Sequence, residues 1–212
     1  MLALTPPHPP SLPPATQGPG PPPGKKHAIS ADDDSGAGVS ASFLEWTDVA
    51  TASDAGTLLS RAQRARAVGA TAANDRSSRS HLVFVLGVEG FNAATGQTLK
   101  GGLNLVDLAG SERLKVSGAE GERLKETQAI NKSLAALGDV IAALGARAEH
   151  VPYRNSKLTH LLAPALSGAG KALMLTALAP GAAAAAESLA TLRFATKVNA
   201  TEIGTARRIV AK

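Results

Sequence analysis

Three short apolar runs constrain the fold of this chain more than any other feature. "HLVFVLGVEG" covers residues 81–90, "GLNLVDL" covers 102–108 and "KALMLTALAP" covers 171–180. Short apolar runs bounded by turn residues predict strands buried on both faces, the pattern of an α/β sheet. The link "FNAATGQTLKGG" contains a Thr-Gly turn, so the first two strands are expected to form a hairpin. Between the second and third runs lies the longest helical signal, residues 122–144. Leu124, Thr127, Ile130, Leu134, Leu137, Ile141 and Leu144 recur there at steps of three and four, which makes one buried stripe. Lys125, Gln128, Lys132 and Asp139 lie off it. Further helices are expected at 53–67, from near Asn155, and at 187–200. The first can be capped by Ser53 or Asp54 and ended by Gly69. Its arginines Arg61, Arg64 and Arg66 read as a solvated basic face.

The rest of the chain is organised around this unit. Residues 1–24 are proline-rich, and proline removes a backbone donor and fixes φ, so an extended or disordered tail is expected. Residues 25–50 predict a weak strand pair around the acidic turn "ADDDSGAG", which lacks the ligand spacing of a calcium loop. Alanine and glycine are abundant and aromatics make up only 3%, so the core must consist mainly of Leu, Val, Ile and Ala. There is no cysteine, which excludes disulfides and thiolate zinc sites. His150 and His160 have no obvious third partner for a metal. The net charge of +5 suits an acidic partner without choosing one. No apolar run approaches the roughly 20 residues of a membrane span, and the N-terminus has no secretory pattern, so a soluble intracellular protein is the default expectation.

Two polar segments carry candidate chemistry. "VDLAGSER" (106–113) ends an apolar run on Asp107, which places a carboxylate at the carboxyl edge of a sheet, where ligands bind in open α/β folds. Magnesium is a natural partner for such a group. Gly110 leaves a backbone N–H that a phosphate can approach. Alone, the segment is a weak signal, and a plain turn after a strand is the favoured reading. "NDRSSRSH" (74–81) precedes the first strand and gathers hydroxyls, an arginine and an amide; Arg79 has the reach to pair with Glu112. A third segment, "HVPYRNSKLTHLL" (150–162), clusters Tyr153, Arg154 and Lys157 at a helix start, as a basic face for an acidic partner or as a solvated one.

Together with "LNLVDLAGSERLKVSGAEGERLKETQAINKSLAALGDVIAAL" and "ESLATLRFATKVN", these segments closely resemble the kinesin motor domain, in the family's order and at similar separations. The resemblance covers residues 25–208, leaving 1–24 and 209–212 as tails. It implies a partial kinesin-type P-loop NTPase fold: a central sheet with flanking helices. It implies that "NDRSSRSH" is switch I, with Asn74 at the nucleotide and Ser77 and Ser78 near magnesium and the attacking water. Asp107 would hold magnesium through water, Gly110 would sense the γ-phosphate of ATP, and Arg79 and Glu112 would join the two switches. The helix from about 122 would lie on the microtubule, with Lys115, Lys132, Arg154 and Lys157 facing acidic tubulin. Cytoplasmic microtubules would be the location and partner, with neither nucleic acid nor membrane involved. The end "RFATKVNATEIGTARR" is similar to that of C-terminal, minus-end-directed kinesins.

One family element has no counterpart. The phosphate-cradling pattern G-x-x-x-x-G-K-[ST] does not occur: Gly24-Lys25 is followed by Lys26, and Gly170-Lys171 by Ala172. The family's first strands are missing with it, and its P-loop strand would lie between runs 103–108 and 172–178. The expectation is therefore a chain that binds ATP poorly by itself, with unpaired strand edges, and that is marginal or completed by something outside these residues. The alternative is a non-catalytic microtubule-binding module.

Overall fold

The computed structural model describes residues 28–30, 40–41, 46–68, 80–111, 122–168, 170–205 and 210–211. The proline-rich segment and the acidic turn lie outside them. Two short strands, β1 (Ile29–Ser30) and β2 (Ser40–Ala41), pair antiparallel, as the weak strand pair predicts. Helix α1 spans Ala52–Val68. Its start is fixed by a reciprocal cap: Asp54 accepts from the Thr51 backbone at 2.9 Å, and Thr51 Oγ1 accepts from the Asp54 backbone at 3.2 Å.

The hairpin forms. Strands β3 (Leu82–Asn92) and β4 (Gln97–Asp107) pair in unbroken register from Leu82↔Asp107 to Asn92↔Gln97. Its turn is closed by Asn92, whose side-chain oxygen accepts from Ala94 N–H at 3.0 Å, and by Gly96 at φ 68°. Val83 of β3 packs on the core and the near half of the strand is half-buried, whereas Val88 and Phe91 at the far end stand exposed. A short strand β5 (Val210–Ala211) pairs with Thr98 and Leu99 of β4.

Helix α2 spans Glu122–Gly145. Its packed face is centred on Val140, with no accessible surface, flanked by Ile130, Ala136, Leu137 and Ile141. The expected stripe is present, but its centre is displaced toward a residue outside the stripe, because a helix turns about 100° per residue and positions 137, 140, 141 and 144 converge. Helix α3 (Lys157–Leu166) lies against it and buries Leu158, Leu162 and Leu166 in the same cluster. Ser156 caps α3 in a capping box with Thr159. The fully buried Thr159 hydroxyl donates to Tyr153 O at 2.7 Å, which fixes the preceding 3-10 turn. Helix α4 (Ala185–Asn199) contributes Phe194 and Val198.

The third apolar run departs from expectation. Residues 171–180 form neither strand nor helix, and Leu173 and Leu175 are 85% and 86% exposed. A strand exists only by pairing its backbone with a neighbour. Among the described residues no strand pairs with this run, although Ser188 Oγ donates to the Ala179 carbonyl at 3.4 Å, so the apolar signal is present and the strand is not.

The chain after α4 returns across the end of α3 by a close backbone approach. Gly168 adopts φ +96°, and a Cβ there would lie 2.5 Å from Ile203 O. Gly168→Ala is expected to cost about 2–3 kcal/mol, from left-handed backbone strain and a clash with main chain that cannot yield. Urea midpoints for the two proteins measure it; equal midpoints would refute the close approach.

Candidate functional site

The carboxyl end of β4 is the centre of the candidate site. Asp107 ends the strand with its carboxylate exposed, and it has a cationic partner. That partner is Arg66, in the last turn of α1, whose Nη1 donates to Asp107 Oδ2. Its Nη2 donates to the Ser80 carbonyl at 2.7 Å and its Nε to Ser80 Oγ at 3.3 Å. The guanidinium side chain is 10% exposed. This corrects the solvated-face reading of α1 at Arg66. The face is basic, but one of its arginines turns inward, because a planar guanidinium has enough donors to hold a carboxylate and a carbonyl together. No signal in the local sequence separates Arg66 from Arg61 and Arg64; only the tertiary position of Asp107 does.

The next residue makes a second junction, which sequence reading missed. His81 Nδ1 accepts from Ala109 N–H at 3.0 Å, and Nε2 lies 2.7 Å from Ser133 Oγ. The Ser133 hydroxyl donates to Ile130 O at 2.7 Å. The pKa of His81 is lowered, first by burial and then by the positive charge of Arg66. The imidazole is therefore neutral at pH 7, in keeping with the acceptor role of Nδ1.

The remaining predicted residues divide by place. Gly110 follows the buried Ala109 on the loop that leaves β4, three residues after Asp107. Lys132 on α2, Arg154 in the 3-10 turn and Lys157 at the start of α3 are exposed. Asn74, Ser77, Ser78, Arg79, Glu112 and Lys115 lie outside the described residues, so the two-switch ion pair and the hydroxyl ligands do not enter the geometry. His150 and His160 line one shallow depression with Tyr153 and Arg154. Among the described residues no group of three His, Asp or Glu side chains is placed to hold a metal. At the strand end the donor set is one carboxylate already paired with Arg66, short of the six oxygens magnesium takes. The described residues by themselves do not fit a magnesium–nucleotide centre.

Comparison with known proteins shows the family. The profile of the kinesin motor domain matches residues 19–201. The chain is 57% identical over 167 residues to kinesin-like protein KIN-14M of Arabidopsis thaliana, covering 79% of this chain and 22% of that one. It is 58% identical over 154 residues to kinesin-like protein 2 of Schizosaccharomyces pombe, covering 72% and 19%. Among solved structures, the motor domain of Kar3 from Saccharomyces cerevisiae matches with TM-score 0.69 at 44% identity, over 82% of this chain and 54% of that one. A microtubule-bound KIF14 dimer matches with TM-score 0.76 at 35% identity, over 91% and 55%. The chain thus spans about a fifth of the length of these curated relatives and about half of these solved chains.

Two predictions follow from the paired junctions. Arg66→Ala is expected to lower unfolding stability by about 1–3 kcal/mol, with Arg66→Lys recovering only part, because an ammonium cannot span Ser80 and Asp107 as a fork does; full recovery by lysine in urea titrations would count against the fork. The second concerns pH. His81 takes up a proton near pH 6.5 when unfolded and only at lower pH when folded, so the unfolded chain binds more protons in that window. Stability therefore falls as pH drops below about 6.5. The charged groups around the ring's strand end are Arg66 and Asp107. The loss between about pH 7.5 and 5.5 should shrink in His81→Asn; an identical loss in both proteins would refute the assignment.

Proposed function

The chain belongs to the kinesin motor-domain family, and on that premise we propose that it is the switch-bearing and microtubule-binding part of a microtubule motor of the C-terminal kinesin group. In this reading ATP-driven movement belongs to a motor domain completed by a phosphate-cradling segment outside these 212 residues. The observation that carries the proposal is a set of uncovered leucines on β4 and on the run 171–180. Leu103 and Leu105 of β4 are 48% and 41% exposed, and Leu173 and Leu175 stand in solvent. Exposed apolar groups in such number mark a surface meant to be covered. A strand seated there would bring the loop that follows it to the carboxyl edge that Asp107 occupies, the place where α/β sheets bind phosphates.

The chain's own residues have definite tasks in this reading. Asp107 supplies the carboxylate, and Arg66 holds it in place while neutralising its charge. Ser77 and Ser78 supply hydroxyls, Asn74 a contact to the nucleotide, and Gly110 an N–H toward the terminal phosphate. Arg79 and Glu112 join the two switch segments. Magnesium, when bound, would offset the negative charge on the phosphates. The exposed cations Lys132, Arg154 and Lys157, with Lys115, meet the acidic face of the microtubule in the cytoplasm. Charges of this kind act mainly on encounter and are screened by salt.

A second reading, a microtubule-binding module without catalysis, draws support from the absence of the Walker A pattern in the sequence. Two measurements on the 212-residue chain separate them. Salt-sensitive co-sedimentation with microtubules is expected, weakened roughly two- to fivefold by each of Lys132→Ala, Arg154→Ala and Lys157→Ala. ATP turnover without a Walker A segment is expected to be negligible and to appear when that segment is restored. Microtubule-stimulated turnover by the chain alone would sink the claim of an incomplete nucleotide site; no turnover after restoration would leave the binding module.

A further inference from the structure

His81 joins three parts of the molecule that are far apart in sequence. It precedes β3, accepts from Ala109 on the loop that carries Gly110, and contacts Ser133 on α2. The direction of each hydrogen bond follows from the chemistry of the partners. A backbone N–H can only donate, so Nδ1 must present its lone pair to Ala109. A neutral imidazole then has its proton on Nε2, which donates to Ser133 Oγ. The Ser133 hydroxyl keeps its own proton for Ile130 O, 2.7 Å away. Every donor in the series has one acceptor, and the series runs without a break from the loop after β4 into the backbone of α2.

We propose that His81 is a positioning residue that ties the loop bearing Gly110 to helix α2, as the neutral tautomer protonated on Nε2. The assignment deepens the motor reading above and rests on it for its functional meaning. A shift of that loop moves Ala109, and His81 passes the shift to Ser133. Ser133 is adjacent to the exposed Lys132, a candidate contact to the microtubule. Burial favours a rigid link: Ala109 is 5% exposed and Ile130 8%. The protonated ring would set two donors, Nδ1–H and Ala109 N–H, against each other at 3.0 Å, so only the neutral form makes the link.

The test uses the full chain and avoids the truncation to alanine at His81, which removes the ring on which β3 and α2 meet. Long-range proton–nitrogen correlation spectra should show His81 protonated on Nε2; protonation on Nδ1 overturns the proposal. Hydrogen-exchange mass spectrometry of the segment containing Ala109 reads the transmission. Ser133→Ala does not touch Ala109, yet it should speed Ala109 exchange roughly three- to tenfold, and Ser133→Thr, which keeps the hydroxyl, should restore it. In His81→Asn the amide oxygen can replace Nδ1 toward Ala109 but cannot reach Ser133. Adding Ser133→Ala to that background should therefore change nothing further. Microtubules should slow Ala109 exchange in the wild type and in Ser133→Thr, but not in Ser133→Ala. Exchange at Ala109 that ignores Ser133 refutes the link even if the chain binds microtubules. Absence of microtubule binding by the wild type refutes the motor reading, while the tautomer and the Ser133 effect still decide the link.

Discussion

The packing of α2 on α3 is the contact on which the remaining structure depends. Val140, Leu137 and Ile141 meet Leu158, Leu162 and Leu166, and Phe194 and Val198 of α4 close the cluster from another side. Val83 and Leu108 bring the base of the hairpin onto the same cluster. The elements that touch this cluster are ordered relative to one another, and the sheet's carboxyl edge is positioned through it. Apolar burial at about 25 cal/mol per Å2 makes such a cluster the main source of stability in a chain with few aromatic residues.

Two adjacent residues convert that packing into a site. Ser80 is held by Arg66, and His81 by Ala109 and Ser133. The polypeptide entering β3 is therefore clamped on one side to the strand end with Asp107 and on the other to α2. Charge-assisted hydrogen bonds with a mostly buried guanidinium are stronger than exposed ion pairs. The surface pair Arg147–Glu202, with both side chains 81% exposed, contributes little by comparison. The same clamp gives the loop carrying Gly110 a mechanical connection to the helix that carries Lys132.

The molecule is also defined by what its apolar groups lack. The hairpin satisfies its inner backbone groups, but Leu103 and Leu105 of β4 stay nearly half exposed and no described strand pairs with the run 171–180. An α/β sheet is stable when both faces and most edges are covered. Leu103 and Leu105 thus leave apolar surface uncovered close to the strand end that carries Asp107.

Much of this was legible in the sequence by itself. The hairpin, the long helix with its stripe, the helix near Asn155 and the last helix follow from periodicity and turn residues, which are local properties of the chain. The kinesin kinship rests on long motifs in order, and the lack of a Walker A pattern is read directly from the residues. Tertiary structure decided the rest. Arg66 differs from Arg61 and Arg64 only in what lies opposite it, and His81 acquires its role only when residues 28 and 52 positions away are brought to its two nitrogens. Residues 171–180 show the converse: the local signal for a strand is strong, yet a strand is a property of a pair, and no sequence pattern supplies the backbone it must bond to.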